Sequence, residues 1–293
     1  MGVGNYPNKC HRLYLDLQGD FDVSSFSEYG PSSMSWRVHA DPTSLVGGIR
    51  ALLLQALSIP SMVAVDTFSK YHDDPLGRFH RTTMFVAETT FGSSDDAMRA
   101  IDSVRAMHER VKGVDSETGV EFAAGDPHLL AFIHNCYTDS MLDCYSRFVT
   151  KLSDGEKDQY LEEQAQVALL LGANPDEVVT DHRLLASKIG SMDNLGVVDA
   201  TLRGFSQLKN FPVPSGARFL LIPWRIAFEG ATDSLPPFAK EFYRISGDPI
   251  GATLRNPVVT GLGFVLRNYL PGHPIYRSAK YRYYEGHSKK GVV

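Results

Sequence analysis

Ser94-Asp95-Asp96-Ala97-Met98-Arg99-Ala100-Ile101-Asp102-Ser103-Val104-Arg105-Ala106-Met107-His108-Glu109-Arg110-Val111-Lys112-Gly113 is the stretch whose periodicity decides the fold class. Ala97, Ile101, Val104, His108 and Val111 recur at steps of four, three, four and three, which is one stripe of an α-helix. Phe91-Gly92-Ser93-Ser94-Asp95 reads as a break and a cap before it, and Gly113 as its end. Downstream, Asp126-Pro127 opens a helix with Leu130, His134, Tyr137, Met141, Tyr145 and Phe148 along one face. Ser153-Asp154 caps another that runs to about Leu171. Upstream, His72-Asp73-Asp74-Pro75-Leu76-Gly77 marks a loop before the segment Arg78 to Thr90, and Asp41-Pro42 starts a helix carrying the apolar run Leu45 to Leu57. Beyond residue 172, weaker helical pieces are expected around 181–190, 195–208, 216–230, 236–246 and 250–270, separated by prolines. No repeat, low-complexity tract, hairpin or linker interrupts the pattern. The expectation is an all-α protein with a single mainly helical domain. It divides into an irregular lead-in (1–40), a helical domain (41–275) and a basic, aromatic C-terminal tail (276–293) that frays at its end.

The 293 residues are 43% hydrophobic and 22% charged, ordinary for a globular protein. Lys and Arg total 29 against 34 for Asp and Glu, a net charge of −5 that argues against nucleic acid as a partner. Cys10, Cys136 and Cys144 form no CxxC pair, so neither a disulfide framework nor a cysteine zinc site is expected. The N-terminus lacks an apolar signal region, which points to a cytoplasmic location. The most apolar stretch, Ala51 to Val65, contains Gln55, Ser58, Pro60 and Ser61 and is shorter than the roughly 20 apolar residues a membrane span needs. It reads as a buried core helix, with no transmembrane segment.

Several catalytic signatures are missing. There is no GxGxxG, Walker loop, GxSxG or HExxH, and Lys112 stands where a zincin would place its second histidine. None of the ten histidines has Asp or Glu three residues before it, which disfavours a carboxylate di-iron bundle. Without CxxCH, any haem would be held non-covalently. His108 and His134 fall on stripes that otherwise read as core. Such a histidine is more often a buried, hydrogen-bonded core residue than a ligand, although a neutral imidazole in an apolar pocket also suits haem iron. If their segment is helical, Arg78 and Arg81 share a face, followed by Thr82 and Thr83. A guanidinium there could clamp an anion and a hydroxyl could bond to bound oxygen, or the arginines could form a solvated face.

Taken in order, several blocks resemble one family. Trp36-Arg37-Val38-His39-Ala40-Asp41-Pro42 and the run to Gln55 look like the opening signature of the MpaB-like and rubber-oxygenase (latex-clearing protein) catalytic domain. Gly77-Arg78-Phe79-His80-Arg81-Thr82 resembles its next block, and Val104-Arg105-Ala106-Met107-His108-Glu109-Arg110-Val111-Lys112-Gly113 its histidine helix. Ala124-Gly125-Asp126-Pro127-His128-Leu129-Leu130-Ala131-Phe132-Ile133-His134 resembles the block after that, and Leu169-Leu170-Leu171-Gly172 the close of the following helix.

The resemblance implies a globin-like core that binds haem b and its iron without a covalent link. It implies an oxygenase or oxidoreductase that uses dioxygen or a peroxide on a small or moderately apolar organic substrate. By block alignment the proximal iron ligand falls on His108. Arg78, Arg81 and Thr82 fall on the distal side or at a propionate as catalytic residues, while His134 and Arg105 join His108 as cofactor-binding residues. The chain departs from the family twice. Gln55-Ala56-Leu57-Ser58-Ile59 stands where relatives read Gln-Ala-Leu-His-Pro, and Phe68 replaces a second histidine. These losses favour the alternative of a non-catalytic haem or hydrophobic-ligand binding protein; a haem-free interaction domain is the third reading. A homo-oligomer is left open.

Overall fold

The computed structural model describes residues 30–69, 71, 73–115, 119–213, 215–246, 248–269 and 272–290. Its first part runs α1 (Met34–His39), α2 (Ser44–Gln55), α3 (Ile59–Phe68), α4 (Pro75–Phe91) and α5 (Ser94–His108). An antiparallel pair, β1 (Lys112–Val114) and β2 (Glu121–Ala123), leads into α6 (Pro127–Phe148) and α7 (Asp154–Leu171). Then follow α8 (His182–Gly190), α9 (Asp199–Lys209), a 3-10 segment (Ser215–Leu220) and α10 (Leu221–Asp233). The last described elements are α11 (Pro237–Phe242), α12 (Pro249–Tyr269) and α13 (Pro274–Lys290). The described chain is thus mostly helical, as the periodicity predicts.

The principal packing is α2 against α6. Gly47 permits it, because a Cβ there would come within 2.8 Å of Met141 Sδ and 3.3 Å of the Met141 Cα. Around this contact Ile49, Leu53, Leu54 and Leu57 meet Phe132, Phe148, Trp224 and Phe228, so α2 is enclosed by α6 and α10. A buried guanidinium crosses the same interface. Arg50, only 3% exposed, donates to Asp139 Oδ2 and Ser140 Oγ at 2.7 Å each and to the Ser234 carbonyl at 3.1 Å. Cys136 and Cys144 are buried free thiols in α6, while Cys10 lies outside the described residues.

Several local expectations need correction. The apolar run from Ala51 to Val65 is two helices, because the Ser58 hydroxyl accepts from Ser61 N and Pro60 sits in the first turn of α3. The helix expected from Asp41-Pro42 begins at Ser44; the Asp41 carboxylate instead accepts from the Thr43 N–H and hydroxyl. The α5 helix ends at His108 rather than Gly113, whose residue belongs to β1, so the stretch does hold a hairpin. Within the lead-in read as irregular, residues 34–39 form α1; residues 1–29 lie outside the described ones. The stretch expected around 216–230 starts as a 3-10 segment before α10. The basic tail is helical from Pro274 to Lys290, and Ala279 and Tyr276 pack on Trp36 and Phe91.

His39 knits four helices together. Its Nδ1 lies 2.7 Å from Thr90 Oγ1, and its Nε2 lies 2.8 Å from the Tyr160 hydroxyl and 3.2 Å from that of Tyr137. Burial holds its pKa down to about 3. An unfolded chain takes up this proton near pH 6.5, so between those values the unfolded state binds more protons and stability falls as pH falls. The contribution is fully present above pH 6.5, and the loss approaches about 1.4 kcal/mol per pH unit below it. Thermal melts at pH 7, 6 and 5 should show this slope for wild type and a shallower one for His39→Gln. Equal slopes would reject His39 as its source.

Candidate functional site

The α5 stripe does not stay in the core. Ala97 and Ile101 are 1% and 0% exposed and pack on Val167 of α7, but Val104, His108 and Val111 are only half-buried. His108 is therefore the last helical residue on an apolar stripe that runs out of its packing partner. Val111 turns the chain into the hairpin and packs on Val63, Ala64 and Phe122, which joins the end of α5 to α3. Ala124 N donates to the Val111 carbonyl at 2.8 Å and closes the hairpin. Gly125 lies beside His108, since a Cβ there would stand 3.8 Å from the His108 carbonyl oxygen. The His108 Nδ1 is enclosed without a hydrogen-bond partner among the described residues, and burial lowers the ring's pKa.

His134 occupies an equivalent condition on α6. Its Nε2 is enclosed and unpartnered, and burial holds its pKa down to about 4. Both imidazoles are therefore neutral at pH 7, each with an enclosed ring nitrogen that has no hydrogen-bond partner among the described residues. The neighbouring Ile133 carbonyl accepts from Gln55 Nε2 at 3.0 Å, which ties the end of α2 to this turn of α6. Along a face that is otherwise buried at Leu130, Met141, Tyr145 and Phe148, His134 and Tyr137 are half-buried. An enclosed polar atom without a partner is uncommon in native proteins and calls for an explanation, which at an imidazole includes a ligand; Trp36 Nε1 and Ser146 Oγ are in the same condition elsewhere in the described fold.

The first turns of α4 hold the arginines. Asp74 caps the helix by accepting from Gly77 N, with Pro75 in the first turn. Arg78 turns inward, donates to Ser69 Oγ, and its Cζ lies 5.9 Å from the Tyr71 ring centroid. Burial lowers its pKa, with the charge of Arg81 acting in the same direction. A guanidinium remains protonated at pH 7 regardless, so Arg78 is a desolvated cation with no carboxylate partner among the described residues. Arg81 and Thr82 face outward. Arg81 pairs with Asp74 at 3.3 Å with 63% of its side chain exposed, and the Thr82 hydroxyl donates to the Arg78 carbonyl at 3.1 Å. Arg105 is also exposed and stands 4.0 Å from Asp102 one turn away. Among the described residues no hydrogen bond or ion pair joins Arg78, Arg81, Thr82 or Arg105 to either histidine.

The two positions where the motif resemblance would place histidine hold structural residues here. Ser58 is fully buried as the cap of α3, and Phe68 meets Phe122 edge to face at 5.8 Å between ring centroids. The residues that motif reading missed are Ser69 and Tyr71, which seat Arg78, and Gln55, which braces the His134 turn. Asp158, Asp181 and His182 also bring ligand-capable atoms within 4.8 Å of one another. There His182 Nδ1 lies 2.8 Å from Asp158 and Nε2 3.2 Å from Asp154, while Asp181 caps α8 and pairs with Arg183. Those atoms already hold α7 and α8 together. A separate concavity lined by Phe205, Lys209, Arg225, Phe228 and Glu229 contains none of the predicted residues.

The described chain is an all-α protein with two neutral, unpartnered imidazoles at the margin of its core. It belongs to the family described as ER-bound oxygenase mpaB/B'/Rubber oxygenase, catalytic domain, whose family model matches residues 36–268. No curated protein and no solved structure gives a significant match. Haem, which the motif resemblance implies, fits the donor set. Iron takes an imidazole through a deprotonated ring nitrogen, and burial keeps both His108 and His134 neutral at pH 7.

Proposed function

We propose that this protein is a haem b-dependent oxygenase with His108 as the proximal iron ligand, built on a globin-like core. The observation that carries the reading is the half-buried apolar stripe of α5 ending on a neutral imidazole whose Nδ1 has no partner. Haem b held there supplies the activation of dioxygen or a peroxide. The protein's own residues do the rest. His108 offers a lone pair at neutral pH because burial keeps its proton off. Arg78, anchored by Ser69 and Tyr71, supplies a desolvated positive charge that holds an anionic group such as a propionate. Arg81 and Thr82 act at the outer edge of the same helix, Arg105 near the His108 turn, and His134 on the α6 side. The apolar character of the stripe that ends on His108 favours a small or moderately apolar substrate over a charged one.

The alternative is a haem or hydrophobic-ligand carrier without turnover. Ser58 and Phe68 favour it, since both have exchanged a potential acid–base group for a structural one. An absorption spectrum after haemin addition separates haem binding from its absence: a Soret band is expected at one haem per chain. A colourless, well-folded protein would reject the haem oxygenase and the haem carrier alike. Oxygen uptake by the loaded protein with a panel of unsaturated apolar substrates then distinguishes oxygenase from carrier.

A further inference from the structure

The outer side of α12 is unlike that of the other surface helices. Surface helices normally present charged residues to water; this one presents Ile250, Leu254, Val258, Phe264, Val265 and Tyr269, with exposures from 49% to 78%. Its two arginines turn to carboxylates of the fold. Arg255 pairs with Asp233 at 2.5 Å, and Arg267 with Asp41 at 2.6 Å. The opposite side is seated by Val259 on Gly230 and by Gly263 on Thr43. What remains is an uncharged apolar strip roughly 30 Å long. Because Asp233 meets Arg255 and Gly230 meets Val259, α10 runs antiparallel to α12. The start of α10 therefore lies toward the Tyr269 end, where Phe219 and Ile222 are 73% and 72% exposed.

Charge follows the same division. From Pro249 to Tyr284 the sequence has no Asp or Glu; Arg255 and Arg267 are neutralised by Asp233 and Asp41, which leaves Arg277, Lys280 and Arg282 as the local basic excess in a chain whose net charge is −5. On α13, Arg277 and Lys280 are exposed with no ion-pair partner among the described residues, beside exposed Tyr281 and Tyr284. Exposed aliphatic groups, interfacial tyrosines and a local basic excess are the composition that binds the boundary of an anionic bilayer. No described helix is long and apolar enough to cross a membrane. A second copy of the chain would bring one acid-free segment against another, without electrostatic help.

We propose that the outer face of α12, assisted by Arg277 and Lys280, docks this protein on an anionic lipid surface, lying in the interface. The test is co-sedimentation of the full chain with phosphatidylcholine vesicles, with and without phosphatidylserine, at low and high salt. Sedimentation is expected with the phosphatidylserine vesicles and is reduced by salt. Leu254→Glu/Phe264→Glu should lower partitioning about tenfold or more per side chain, and Arg277→Glu/Lys280→Glu about fivefold per residue. Leu254→Ser/Phe264→Ser, which introduces no charge, should also lower it, with an unchanged melting temperature. Equal binding to neutral vesicles would overturn the anionic assignment. Failure of wild type to sediment, or sedimentation of the α12 variants like wild type, would overturn the docking face. So would a wild-type dimer that ignores vesicles and is dissolved by the α12 variants, since the face would then join two copies.

Discussion

Arg50→Ala is expected to destabilise the fold by about 3–5 kcal/mol, the largest stability loss from a single substitution at the α2–α6 interface. The guanidinium serves three acceptors on two other elements: Asp139, Ser140 and the Ser234 carbonyl, with Asp143 3.9 Å away. Its removal leaves the Asp139 carboxylate, whose side chain is 20% exposed, without its counter-charge beside a buried helix pair. The Ser234 carbonyl loses a donor at the end of α10. Arg50→Met keeps most of the volume but none of the donors, so the two variants together separate packing from charge. Urea denaturation should give nearly the same loss for both if the unpaired carboxylate dominates. A much smaller loss for Met would place the cost in the cavity. A loss below about 1 kcal/mol in both would show that the network behaves like a surface ion pair.

Replacing His108 with alanine should empty the protein of haem while leaving its helices intact. The residue closes α5 and is only half-buried, and the hydrogen bond it accepts from Val111 N uses its backbone carbonyl. Far-UV circular dichroism should therefore match wild type, and the Soret band obtained after haemin addition should vanish. Added imidazole should restore part of the band, because the space left by the side chain admits the free ligand. A variant that keeps full haem occupancy would reject His108 as the iron ligand. If His134→Ala alone removed the band, the ligand would belong to α6, where an enclosed Nε2 is also unpartnered.

The elements legible in the sequence are those with a long apolar stripe and a strong cap. Ser93 and Ser153 both form capping boxes, and Asp126-Pro127 starts α6 as its chemistry requires. Where one apolar run passes through a helix break, hydrophobicity hides the boundary: Leu57 and Ile59 flank Ser58, and only the buried hydroxyl and Pro60 show that the chain turns. The hairpin escaped for a different reason. Its strands are three residues each, and β1 is fully exposed, so neither leaves an alternating pattern. At the candidate site, periodicity located His108 and His134 but could not tell a core histidine from an unsatisfied one, because that depends on neighbours distant in sequence. The pairing of Arg78 with Ser69 and Tyr71 was equally invisible, since a loop makes it. For Arg81, helical spacing predicted a face shared with Arg78 and left a solvated face as the alternative; in the structure Arg81 turns to solvent while Arg78 turns inward.

The aromatic cluster of Trp36, Phe91 and Tyr276 bears on how the chain reaches its native state during synthesis. Trp36 meets Phe91 at 5.3 Å and Tyr276 at 5.9 Å between ring centroids, and Ala279 of α13 completes the cluster. The first described helix thus waits for the last one. While the ribosome is still making the intervening segments, Trp36 and the end of α4 remain open to water and to other chains. Such a half-finished surface is a natural target for chaperones. The same arrangement delays closure of the outer layer until α13 has emerged, even though α2 and α6 can meet much earlier.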